Sequence, residues 1–107
     1  MSARNGNVGQ IDYTAAKGAI ESATKTTARE FASDRARVNA IAPGPVNTPM
    51  LAAVGKDGID AMGRATLVGR IAEPEDIAAT VAAIADPKLL GYTTGQVFAA
   101  NGGMYLD

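Results

Sequence analysis

The stretch that most constrains the fold is Val38-Asn39-Ala40-Ile41-Ala42, a short β-prone run that stops against Pro43-Gly44-Pro45. Val38, Ala40 and Ala42 share one face of a strand and Asn39 and Ile41 the other, so apolar residues fall on both. Such a strand has to be covered on both faces, as in a parallel sheet. A second run, Gln96-Val97-Phe98-Ala99-Ala100, is led in by Thr93-Thr94-Gly95 and closed by Asn101-Gly102-Gly103. Between the two runs, Pro74 suits the first position of a helix, with Glu75 and Asp76 in its first turn and Ile77, Val81 and Ile84 as its buried stripe. This helix reaches about Ala85, where Asp86-Pro87 ends it, and Lys88 to Tyr92 lead on to the second run. Strand, helix, strand reads as a parallel βαβ unit of the α/β class. No internal repeat, low-complexity tract or linker divides residues 1–107, so they are read as one domain.

Upstream, residues 1–11 are polar and Gly-rich and read as loop, with Asp12 offering an N-cap oxygen. From Tyr13 to about Ala32 there is no Pro and only Gly18, which predicts a long helix. Ala16, Ile20, Ala23, Thr27 and Phe31 form the stripe expected to face a core. Ala15, Ala19, Ser22 and Thr26 are all small, fitting either an exposed face or a close-packed subunit interface. Glu21 and Lys25, in the favourable i,i+4 order, mark a solvated edge. Tyr13 and Lys17 stand one turn apart on one face. A phenol ordinarily titrates at about 10, and a fixed ammonium nearby favours its anion. Bringing a phenol to neutrality takes about 4 kcal/mol of preferential stabilisation, which a poorly solvated site can supply. The alternative is an accidental spacing.

Ligands of parallel α/β folds gather at the C-terminal ends of strands. Here that end is Pro43-Gly44-Pro45-Val46-Asn47-Thr48-Pro49, in which the prolines fix φ, Gly44 lets the backbone approach something flat and Thr48 presents a hydroxyl. An ordinary rigid turn would look similar. From Met50 to Glu73, glycines interrupt any long helix while Met50, Leu51, Val54, Ile59, Met62, Leu67 and Val68 are apolar. Short helical pieces acting as a lid over an apolar pocket, about residues 50–73, fit this segment best.

Composition closes off several kinds of chemistry. With no Cys and no His, the chain has no disulfide, thiol nucleophile, ordinary zinc site or histidine-based triad. Acid–base work falls to Tyr, Lys, Asp or Glu, and no metal is expected. The net charge of −1, without runs of one sign, offers nothing to nucleic acid or an anionic membrane. No apolar run approaches a membrane span and no export signal is evident, so the expected setting is cytoplasmic and the expected ligand a small molecule.

Four motifs agree in order and spacing: Gly9-Gln10 before Tyr13-x-x-x-Lys17, Val38-Asn39 leading to Pro43-Gly44 and Thr48, Gly69-Arg70 before Pro74-Glu75-Asp76, and Thr94-Gly95-Gln96 before Gly102-Gly103. Together they resemble the C-terminal part of the short-chain dehydrogenase/reductase family, most closely its 3-oxoacyl-carrier-protein reductase branch. The likeness covers essentially the whole chain. It implies the C-terminal part of a doubly wound, Rossmann-like parallel sheet in the order helix, strand, lid, helix, strand. It also implies an NAD(P)-dependent oxidoreductase acting on a ketone or secondary alcohol. Tyr13 would be the general acid or base. Lys17 would favour the phenolate and hydrogen-bond the nicotinamide ribose. Pro43 and Gly44 would line the nicotinamide, the Val46 backbone would meet its carboxamide, and the Thr48 hydroxyl would approach the pyrophosphate. The small-residue stripe on helix 13–32 would join its counterpart in a homo-oligomer.

The chain also departs from the family pattern. The position of the catalytic serine falls just before Met1, and Ser2 comes too late to take it. The Gly-rich first βα turn, the residue that chooses NAD or NADP and an upstream catalytic asparagine have no counterpart. Two strands with open edges and apolar faces should make a marginal monomer. The expectation is a piece of a longer protein, inactive alone. The other possibility is a non-catalytic structural or oligomerisation module derived from the same fold.

Overall fold

A computed structural model describes residues 8–106. The expected loop at 1–7, and Ser2 with it, lie outside the described residues. The chain runs through helix α1 (Ile11–Glu30), a 3-10 turn (Ala32–Asp34), strand β1 (Ala40–Pro43) and helices α2 (Pro49–Ala52) and α3 (Lys56–Arg64). It continues through α4 (Pro74–Ala85) and α5 (Pro87–Leu90) to strand β2 (Val97–Ala100). β1 and β2 pair in parallel, Ala40 opposite Val97 through Pro43 opposite Ala100, with α4 in the crossover. This is the expected α/β arrangement.

Both strands begin later than the sequence predicts, because side chains occupy the backbone at their entry. Val38 N–H donates to Thr94 Oγ1 at 3.0 Å and Gln96 N–H to Asn39 Oδ1 at 3.1 Å, while Asn39 Nδ2 donates to the Thr93 carbonyl at 3.0 Å. The regular ladder is bounded by Ala40 N–H on Gln96 O, 2.9 Å, and Gly44 N–H on Ala100 O, 3.0 Å.

α1 differs in its start and its buried face. Its N-cap position is Gln10, without a side-chain cap bond, and Asp12 instead sits in the first turn, where its charge suits the positive end of the helix. Asp12 Oδ1 accepts from Tyr13 N–H at 2.9 Å. The helix ends at Glu30, where Phe31 N–H closes on Thr27 O. The expected core stripe is largely open: Ile20 is 55% and Phe31 47% exposed. Thr24 and Ala28 are buried instead, and Ala28 Cβ lies 3.5 Å from where a Cβ on Gly95 would stand. The side of α1 facing the strands is thus offset from the apolar stripe, and the two described strands are too few to cover that stripe as well.

α4 begins at Pro74 and ends at Ala85 as predicted, and Glu73 and Asp76 form a reciprocal capping box. Of its stripe Ile84 is buried and Ile77 half-buried, whereas Val81 is 49% exposed. Asp86 does not merely end α4, because its side chain caps α5 through Lys88 N–H at 2.9 Å. The segment after β1 forms short helical pieces, as expected. Its base is fastened by a parallel bridge between Val46 and Ala72, with Asn47 N–H on Ala72 O at 2.8 Å and Ala72 N–H on Pro45 O at 2.9 Å. Among the described residues no helix is long and apolar enough to cross a membrane.

Candidate active site

Gly9, at φ +81°, turns the chain into α1, and Tyr13 and Lys17 leave the same face of its first turns. The Lys17 ammonium lies 5.2 Å from the centroid of the Tyr13 ring, a cation–π contact that holds the pair together on an exposed surface. Opposite them β1 runs out into Pro43-Gly44-Pro45. Helix and strands enclose a cleft of about 870 Å³. Gln10, Tyr13, Lys17, Ile20 and Glu21 line it from α1, and Ala40 to Pro45 with Val97 from the strands. Leu51 and Met62 add apolar surface from the segment after β1, as do Met104 and Tyr105 from the chain after β2. The cleft therefore presents a phenol, an ammonium and an apolar floor to one space.

The remaining predicted site residues divide into two pairs. Pro43 and Gly44 line the cleft, but Val46 and Thr48 do not. In the bridge to Ala72 the hydrogen bonds pass through Pro45 and Asn47, so the N–H and C=O of Val46 itself point the other way. Neither has a partner among the described residues. The Thr48 hydroxyl caps α2, accepting from Leu51 N–H at 3.4 Å, which leaves its proton free to donate elsewhere. At Gly44 the close approach is to the protein itself: a Cβ there would stand 2.9 Å from Asn101 Cα.

A smaller cavity of about 260 Å³ shares Gly44 and Pro45 with the cleft and is lined by Thr66, Arg70, Asp76, Thr80 and Asn101 among others. Arg70 forks onto Asp76 at 2.7 and 3.1 Å. That hydrogen bond, with a second from Glu73 N–H at 2.8 Å, holds the Asp76 carboxyl down to about 2 and pushes the Arg70 guanidinium up. Asn47 Nδ2 reaches the Glu73 carboxylate at 3.1 Å. The group fastens the two ends of the 48–73 segment beside the cleft, which accounts for Gly69-Arg70 preceding Pro74-Glu75-Asp76. The sequence does not mark Met104 and Tyr105 as lining residues beyond their being an apolar pair directly after a double glycine, and Gln10 is legible only as part of the Gly9-Gln10 motif.

Residues 1–105 match the family profile described as Enoyl-(Acyl carrier protein) reductase. The chain belongs to the short-chain dehydrogenase/reductase family. It is 41% identical over 101 residues to the 3-oxoacyl-acyl-carrier-protein reductase FabG of Vibrio cholerae, covering 94% of this chain. It is 45% identical over 108 residues to the short-chain reductase NovJ of Streptomyces niveus, again over 94% of this chain. In both comparisons the chain spans 41% of the relative's length. Among solved structures, a short-chain dehydrogenase/reductase from Brucella melitensis described as glucose/ribitol dehydrogenase superposes with a TM-score of 0.89 at 33% identity. The match takes in 100% of this chain and 43% of that one. As a short-chain dehydrogenase/reductase segment near the FabG branch, the chain has the Rossmann-type α/β fold that its motifs imply.

Proposed function

We propose that this chain is the catalytic C-terminal segment of an NAD(P)-dependent oxidoreductase that interconverts a ketone and a secondary alcohol. The observation that carries the reading is the shared cleft: Tyr13 and Lys17, 5.2 Å apart from ring centroid to ammonium, open onto the same space as Pro43 and Gly44. Tyr13 donates its phenolic proton to the ketone oxygen, or accepts it from the alcohol. Lys17 supplies the positive charge beside that proton and donates to the nicotinamide ribose. Pro43 and Gly44 form the surface on which the nicotinamide lies. The backbone of Val46, without a partner among the described residues, suits a carboxamide, which needs one acceptor and one donor. The free proton of Thr48 is available to a pyrophosphate oxygen. NAD or NADP, when bound, supplies or takes up the hydride. The 50–73 segment serves as the lid, with Leu51 and Met62 on the substrate side.

The test is Tyr13→Phe in the product of the whole reading frame that carries this segment. Hydride transfer is expected to fall by at least about 10²-fold, with NADH or NADPH still bound. Undiminished turnover would remove Tyr13 from this role.

A second reading, a non-catalytic assembly module, draws on Ala15, Ala19, Ser22 and Thr26, all of which are exposed along α1. Titration with NADH and NADPH alongside a solution mass separates the two readings. A defined oligomer that binds neither nucleotide favours the module, whereas nucleotide binding favours the oxidoreductase.

A further inference from the structure

Asn101 is the most buried polar residue among those described, at 5% exposure, and its amide is committed at both ends. Gly103 N–H donates to Asn101 Oδ1 at 2.8 Å, and Asn101 Nδ2 donates to the Tyr105 carbonyl at 3.0 Å. Met104 N–H adds a bond to the Asn101 carbonyl at 3.1 Å. Gly102 at φ +62° and Gly103 at φ +77° allow so tight a reversal, which other residues would resist. The chain leaving β2 is thereby folded back, and Met104 and Tyr105 are delivered to the cleft that holds Tyr13.

The turn is braced from outside as well. Val68 N–H donates to the Gly102 carbonyl at 3.1 Å, and a Cβ on Gly103 would stand 2.8 Å from the Leu67 side chain. Thr66, itself buried, ties that stretch down by donating to Gly63 O at 2.8 Å and accepting from Gly69 N–H at 2.9 Å. One buried amide therefore governs two apolar parts of the cleft lining and the contact to the segment that carries Leu51 and Met62. A fully satisfied buried amide holds such a turn to one geometry, and losing either partner leaves a buried polar group unpaired.

We propose that Asn101 is a positioning residue for substrate selection, holding Met104 and Tyr105 as the wall on which the non-reacting, apolar arm of the ketone or alcohol rests. The proposal rests on the oxidoreductase reading above. Met104 adapts its shape to different chains and Tyr105 offers a flat apolar ring, so this wall discriminates by arm length.

The test uses the product of the whole reading frame labelled with 3-fluorotyrosine, its resonances assigned by single Tyr→Phe changes. The probes are 2-nonanone and 2-butanone. The long ketone is expected to move the Tyr13 and Tyr105 resonances together and the short one Tyr13 alone, with exposed Tyr92 as the still reference. Asn101→Asp keeps the acceptor for Gly103 but places an acceptor against the Tyr105 carbonyl. It should weaken 2-nonanone about ten-fold more than 2-butanone, with the change in KM and not in nucleotide affinity. Tyr105→Ser, at a partly exposed site that leaves the turn intact, should do the same and keeps the test open should Asn101→Asp fail to fold. A Tyr105 resonance that stays still while 2-nonanone saturates Tyr13, ketones that move neither resonance, or equal weakening of both ketones would overturn the proposal. Absent hydride transfer with the Tyr105 response intact would sink the oxidoreductase reading alone; turnover with Tyr105 silent would sink the positioning role alone.

Discussion

Arg37 shows how far one side chain can reach across the sequence. Its Nη1 donates to the carbonyls of Ile84 at 2.9 Å, Leu90 at 3.0 Å and Thr93 at 3.3 Å, and its Nη2 to Ala85 at 3.1 Å. Ile84 and Ala85 close α4, Leu90 closes α5 and Thr93 lies in the turn that follows, and a planar guanidinium serves several such carbonyls at once. Arg37→Ala should cost about 2–3 kcal/mol in urea unfolding, and Arg37→Lys should recover only part of it because an ammonium cannot fork. None of this was legible in the sequence, where Arg37 reads as part of a connection and its partners lie 47 to 56 residues away. At Gly44 the sequence did point to a close approach, though not to the backbone of Asn101. Gly44→Ala should destabilise by about 1–3 kcal/mol, since neither backbone can give way freely, and a melting temperature equal to the parent's would contradict the crowding.

At the scale of elements, helix ends were more readable than helix faces. The start of α4 is a local matter, with Pro74 at N1 and Glu73 and Asp76 in reciprocal bonds, so a window of a few residues defines it. Its acid response follows from Asp76. The carboxyl stands at about 2 against an ordinary 3.8, so its stabilising contribution is complete above about pH 4 and is lost as pH falls toward 2. Urea midpoints measured between pH 5 and pH 2 should therefore fall more steeply for the parent than for Asp76→Asn. Parallel curves would show that the Arg70 pairing does not persist in solution. The face of α1, by contrast, depends on what stands opposite it. Tyr13, Lys17, Glu21, Thr24 and Ala28 follow a helical repeat as regular as the apolar stripe beside them, and only the position of the strands distinguishes the two.

Over the whole molecule, the radius of gyration is 15.4 Å, against about 13 Å for a compact domain of this length. Ala28 and Ile84 are the buried apolar residues among those described, while Leu67, Leu89 and Tyr92 are widely exposed. Protection therefore concentrates where hydrogen bonds tie distant segments. In native-state hydrogen exchange the amides of Ala40, Gly44, Asn47 and Ala72 should be the slowest, and those in the first turns of α1 among the fastest. Equal protection along α1 would mean that its outer face is covered in solution, the outcome the assembly reading requires.

The sequence by itself determined the α/β class, the order of elements, the first residue of α4, the family, and the placing of Tyr13 and Lys17 on one helical face. Each of these rests on local signals: turn residues, capping pairs, strand-like runs and a one-turn spacing. Only the tertiary structure decided which face of α1 looks onto the strands and that Val46 and Thr48 stand outside the cleft. It also brought Arg37 to the carbonyls of α4 and α5, and Met104 and Tyr105 to the space beside Tyr13. Those relations join residues far apart in the chain; they depend on the β1–β2 register and on where the Asn101-Gly102-Gly103 turn sends the chain, and a local pattern marks the turn but not its destination.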